Sequence, residues 1–172
     1  MAHNKTNTFE AEVLKLIFNN TNIAGIGDAT GLRGSTTASS LYIRLFTSSP
    51  TEEATFTAKE ATYTSYAAVA VTRNGTNWPV TESNEADGGV SGNAEATTDS
   101  PARGAYVENA NAITFPQCTS GSETITHVAI CKTQTGTTDG DMLYAGALNT
   151  PLTVSVGVTP QFAAQALKVY EF

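Results

Sequence analysis

From residue 41 onward, short runs of alternating apolar residues follow one another, each cut off by turn chemistry. In 41–46 (LYIRLF), Leu41, Ile43 and Leu45 point one way and Tyr42, Arg44 and Phe46 the other, and Ser49-Pro50 stops the run. The same pattern predicts strands over 64–73, 77–81, 103–107, 111–115, 124–132, 142–148, 152–156 and 161–170. Between them lie Asn74-Gly75, Pro116, GTTDGD, NTP and GVTP. Period-two runs this short cannot bury themselves singly, so they pair and stack. They predict an all-β chain, a single antiparallel β-sandwich of the jelly-roll or Ig-like kind.

One segment keeps a different period. In FEAEVLKLIFNN, Phe9, Val13, Leu16 and Ile17 recur at helical spacing, with Leu14 and Phe18 widening the stripe. An amphipathic α-helix is expected there, capped by Asn7 or Thr8, with Glu10 in the first turn and a stop at Asn19-Asn20. Residues 1–8 read as an arm before it. Residues 22–37 follow as a Gly-rich connection whose GIGDATG superficially resembles a nucleotide-binding glycine loop. The dinucleotide fingerprint needs a strand before and a helix after, and here the order is reversed. The expected division is 1–40 as arm, helix and connection, and 41–172 as the β domain with an exposed acidic excursion at 82–102.

The chain has 172 residues, room for one sizeable domain, and a net charge of -7 with 9 Lys plus Arg. No basic footprint for nucleic acid or an anionic membrane is expected. No apolar run approaches the roughly 20 residues of a spanning helix, and no signal peptide is expected. Cys118 and Cys131 are expected as free buried thiols.

Candidates for chemistry are few. His3 lies in the arm, and His127 lies in a strand beside Ile125 and Ala129, as a packed or edge histidine. Cys131 shares its strand face, but four extended residues separate the two by about 13 Å, too far for a nucleophile and its base. Two cysteines and one ordered histidine do not make a zinc site. Asp139-Gly140-Asp141 is acidic, yet it lacks the spaced carboxylates of a calcium loop and reads as a turn. Glu52-Glu53 and Glu82, Glu85 and Asp87 read as solvated loop charge. No catalytic, cofactor-binding or metal-ligating residue is assigned. Trp78, followed by Pro79, is the aromatic expected to be exposed, in a recognition loop.

The order of several short motifs resembles a family of tailed-bacteriophage virion proteins, labelled loosely as tail fibre or head structural proteins. They are LYIRLFTSSP at 41–50, ITFP at 113–116, ITHVAI at 125–130, LYAGALNTPLTVSVG at 143–157 and FAAQALKV at 162–169. The resemblance covers 41–50 and 111–169, and it implies a non-enzymatic β-sandwich on the particle, assembled in the bacterial cytoplasm. The leading reading is a capsid decoration (cement) protein bridging subunits of the major capsid protein, with copies of itself as further partners, a trimer among the options. Phe9, Val13, Ile17 and Phe18 would be docking anchors, joined by Tyr42 and Phe46. The same helix could instead cover its own domain. The alternative is a tail or tail-fibre component contacting the host surface.

Overall fold

The structure, a computed structural model, describes residues 5–28, 31–32, 34, 36–50, 59–82 and 105–171. Among the described residues strands dominate, every pairing is antiparallel, and one α-helix precedes them. The chain divides into two compact units. Unit 1 comprises Met1–Ser39, Arg73–Asn111 and Ala164–Phe172, and unit 2 comprises Ser40–Thr72 and Ala112–Ala163.

Unit 1 opens with the helix α1 (Asn7–Asn19). Its cap is Thr6, one residue before the expected pair. Thr6 is extended (φ -81, ψ 149), so its hydroxyl can accept the Phe9 N–H at 3.2 Å. Asn20 ends the helix at φ 58, and the left-handed turn lets the Thr21 N–H donate to the Lys15 carbonyl at 3.1 Å. The buried face runs through Ala11, Leu14 and Phe18, while Phe9, Val13 and Ile17 are half-buried. The expected stripe was therefore centred on one side of the buried face. The apolar residues of this helix spread over a wide arc, from Leu16 through Phe9 and Val13 to Leu14 and Phe18, and periodicity alone could not choose where in it the core lies.

The last turn of α1 contains no basic residue, yet its terminal carbonyls are charge-compensated. The Arg73 guanidinium donates from Nη2 to the Leu16 carbonyl at 2.6 Å and from Nε to the Ile17 carbonyl. A cation is favoured at this end of the helix dipole. Arg73→Ala is expected to lower the stability of unit 1 by about 2 kcal/mol. Arg73→Lys should recover only part of that, since a point charge cannot span two carbonyls as a planar fork does. Urea unfolding followed by the fluorescence of Trp78, the single tryptophan, measures both.

The Gly-rich connection carries two short strands: β1 (Ile23–Asp28) pairs antiparallel with β2 (Gly31–Leu32), with Ile23 opposite Leu32 and Asp28 opposite Gly31. The mismatch in register is a bulge in β1, where Gly25 (φ 79) and Gly27 (φ 89) adopt backbone angles closed to most side chains. The rest of the unit is a three-stranded sheet with β6 (Ala105–Glu108) central between β11 (Lys168–Glu171) and β5 (Val80–Glu82). Helix α1 packs on these strands. Of the acidic excursion expected at 82–102, Glu82 ends β5 and the remainder lies outside the described residues.

Unit 2 is built on a four-stranded sheet ordered β4 (Val69–Thr72), β3 (Ser40–Phe46), β8 (Ser122–Cys131) and β9 (Met142–Ser155). A two-stranded ribbon of β7 (Ile113–Thr114) and β10 (Gln161–Phe162) accompanies it. Two expected strands, 142–148 and 152–156, are one strand. Ile125 faces Leu152 while His127 faces Ala147, so three extra residues of β9 bulge outward there and carry Pro151 without breaking the strand. Two expected strands are shorter or divided. Residues 64–65 form a turn, with Ser65 at φ 82, and 66–68 are irregular before β4 begins. The segment 161–170 splits at a turn holding Gln165 (φ 63), so β10 belongs to unit 2 and β11 to unit 1.

Candidate functional site

The most chemically loaded region is the face of β3 that carries Tyr42, Arg44 and Phe46. Leu41, Ile43 and Leu45 are buried on the opposite face, as their alternation predicts. Arg44 is buried as well, at 2% exposure. Its Nε donates to Glu60 Oε1 at 2.7 Å, Nη2 donates to Glu60 Oε2, and Nη1 donates to the Gly136 carbonyl at 2.6 Å. The Tyr66 hydroxyl also donates to Glu60 Oε1, at 2.9 Å.

The same tyrosine repairs the edge of β3. Strand β4 covers β3 only as far as Ile43. Beyond it, the Leu45 N–H donates to the Tyr66 hydroxyl oxygen at 3.0 Å, and the Leu45 carbonyl accepts the Ala61 N–H at 2.8 Å. Burial and the neighbouring Glu60 carboxylate raise the Tyr66 phenol far above its ordinary range. Burial also pushes the Cys131 thiol up to about 11, although Arg44 opposes the shift. A thiol held neutral is a poor nucleophile and a poor metal ligand.

Other titratable groups in unit 2 are tied to backbone. Glu123 accepts the Thr62 N–H at 3.0 Å and the Tyr63 N–H at 3.1 Å, and Cys118 Sγ lies 3.4 Å from the Ser120 carbonyl. Both cysteines are free and buried, as expected. His127 Nδ1 is 2.8 Å from Thr126 Oγ1. It lines a depression of about 390 Å³ with Ser49, Pro50, Met142, Leu143 and Ala147, where it is the only titratable side chain among the lining residues. In the turn Asp139–Asp141, the Asp141 carboxylate accepts the Thr138 N–H and hydroxyl, which lowers its pKa. No cluster of three potential metal ligands occurs among the described residues.

The six expected docking residues and Trp78 divide cleanly. Phe46 is fully buried against Ala129 and Cys131, with Tyr42 and Met142 packed beside it, so this face of β3 is covered by its own unit. Phe18 is fully buried in unit 1 and meets Trp78 edge-on, with ring centroids 5.1 Å apart. Trp78 is not exposed at all, which corrects its assignment to a recognition loop. The Asn74-Gly75 turn directs it inward, because the Asn74 carbonyl accepts the N–H groups of both Asn77 and Trp78. Phe9, Val13 and Ile17 retain partial exposure. The more open aromatic pair is Tyr106 and Tyr170, directly opposite on β6 and β11, with centroids 5.6 Å apart and the Lys168 ammonium over the Tyr106 ring. Both lie in strands expected from the sequence, 103–107 and 161–170.

Unit 1 also buries an acid. Glu10 is 4% exposed, and its Oε2 has no hydrogen-bond partner among the described residues. Burial raises its pKa, and the Lys5 charge and the Ala105 N–H oppose the shift. A carboxyl whose folded pKa exceeds its unfolded value stabilises the fold most below the unfolded pKa, and that contribution is lost as pH rises through the folded one. Glu10→Gln is therefore expected to raise Tm by a few degrees at pH 7 and to make no difference near pH 4. Thermal melts at both pH values test the sign.

A family model described as podophage GP4 fiber I protein gp80 matches residues 4–170. The chain belongs to this family. It is a tailed-phage virion structural protein, and the ordered motifs at 41–50 and 111–169 lie inside the matched range. No curated protein matches it. The family is named for a fibre component, which agrees with chemistry spent on holding strands and turns together.

Proposed function

We propose that this chain is a non-enzymatic building block of a podophage fibre, assembled in the host cytoplasm and mounted on the virion through protein–protein contacts. The observation that carries this reading is the match to a fibre-protein family over residues 4–170. The site chemistry supports it. Glu60, Glu123, Asp141 and Arg44 hold backbone and each other, and the Cys131 thiol is kept neutral. Held in this way, these groups rigidify a β unit rather than standing ready for acid–base or nucleophilic work.

A cryo-EM map of the intact virion tests the proposal. The chain is expected in fibre density, at a copy number far below that of the major capsid protein. Density spread over the outer head, at a copy number comparable to the capsid subunit, would instead support the decoration reading and overturn this one.

A further inference from the structure

The two edges of the four-stranded sheet are finished differently. On the β3 side, the Tyr66 hydroxyl and the Ala61 N–H complete Leu45 where β4 stops. On the other side, β9 pairs only with β8 among the described residues.

The direction of each backbone group along β9 follows from Leu45. Its N–H and C=O both face away from β8, toward Tyr66 and Ala61. Backbone groups alternate sides along an antiparallel strand, so Arg44 and Phe46 bond to their partners Ala129 and His127 on β8. Val128, between those two, turns its groups toward β9 and bonds to its partner Gly146. Ala145 and Ala147, on either side of Gly146, therefore direct their N–H and C=O groups outward. Both residues are exposed, and the register is regular from Tyr144 to Ala147, between the two irregularities of β9.

Exposed edges are ordinarily blunted by charge. Here no Asp, Glu, Lys, Arg or His occurs between Asp141 and Lys168, and Val156, just past β9, is 67% exposed. On a chain of net charge -7, an uncharged edge is where a second acidic copy can approach without repulsion. A basic partner would be drawn to carboxylates, which this edge lacks.

We propose that the β9 edge is a self-association surface, pairing antiparallel with β9 of a second copy about a two-fold axis at Gly146. Ala145 then exchanges reciprocal N–H···O=C bonds with the partner subunit's Ala147, and Ala147 does so with the partner subunit's Ala145. The two four-stranded sheets become continuous. The surface lies wholly within unit 2 and holds wherever the virion carries the chain.

Sedimentation velocity of the full chain from roughly 1 to 200 µM tests this, and a concentration-dependent dimer is expected. Ala147→Pro removes one outward N–H and leaves the Gly146 bonds to β8 in place. Ala145→Glu with Ala147→Glu sets like charges against each other across the axis. Each change should weaken dimerisation about tenfold or more. In the unmodified chain, the Ala145 and Ala147 amides should exchange slowly at high concentration and quickly at low concentration. A chain that stays monomeric over the range, or dimers whose association and exchange at these amides ignore both changes, would overturn the proposal.

Discussion

Arg44→Ala is expected to lower the stability of unit 2 by about 3–5 kcal/mol. Arg44 is 2% exposed, and its guanidinium serves three acceptors: both Glu60 oxygens and the Gly136 carbonyl. Truncation leaves the Glu60 carboxylate with the Tyr66 hydroxyl as its remaining donor among these groups. The cost is that of stranding a charge in a place water reaches poorly, rather than of losing an attraction. Replacing both partners, Arg44→Met with Glu60→Leu, should therefore cost much less than either alanine substitution alone. Far-UV circular dichroism in urea reads the loss. A single-alanine effect below about 1 kcal/mol would mean that the pair is as weak as a solvated surface bridge.

This ion pair also marks how far the sequence could be read. The alternation of Leu41, Ile43 and Leu45 announced a buried face, while Tyr42 and Phe46, expected to dock a partner, pack within their own unit. Nothing local marked Arg44 between them as one half of a buried ion pair, because its partner Glu60 lies sixteen positions on. The same reason hid Arg73, which caps α1 from 56 positions away. Local signals fared better. Asn20 stops the helix, and Asn74-Gly75 turns the chain. Pro151 misled, because a bulge absorbed the missing N–H that would have ended a regular strand. The family was legible in the order of five motifs, although each is ordinary strand sequence. Head or fibre was not legible, since strand patterns encode what a residue packs on within its own fold and not which neighbour the particle supplies.

Trp78→Ala is expected to cost unit 1 about 3–5 kcal/mol. Trp78 is fully buried and packs edge-on against Phe18, the largest side chain that α1 buries. Removing the indole opens a cavity under the helix that alanine cannot fill, and Phe18 loses its aromatic contact. Trp78 Nε1 has no hydrogen-bond partner among the described residues, so Trp78→Phe sacrifices volume and no such bond. It should cost well under half as much. Phe18→Ala should resemble Trp78→Ala, and the double variant should fall short of the sum, because each single change already breaks the contact. Since Trp78 is the only tryptophan, these variants are compared by circular dichroism. A Trp78→Phe loss equal to that of Trp78→Ala would show that the indole nitrogen, not the packed ring, holds α1 in place.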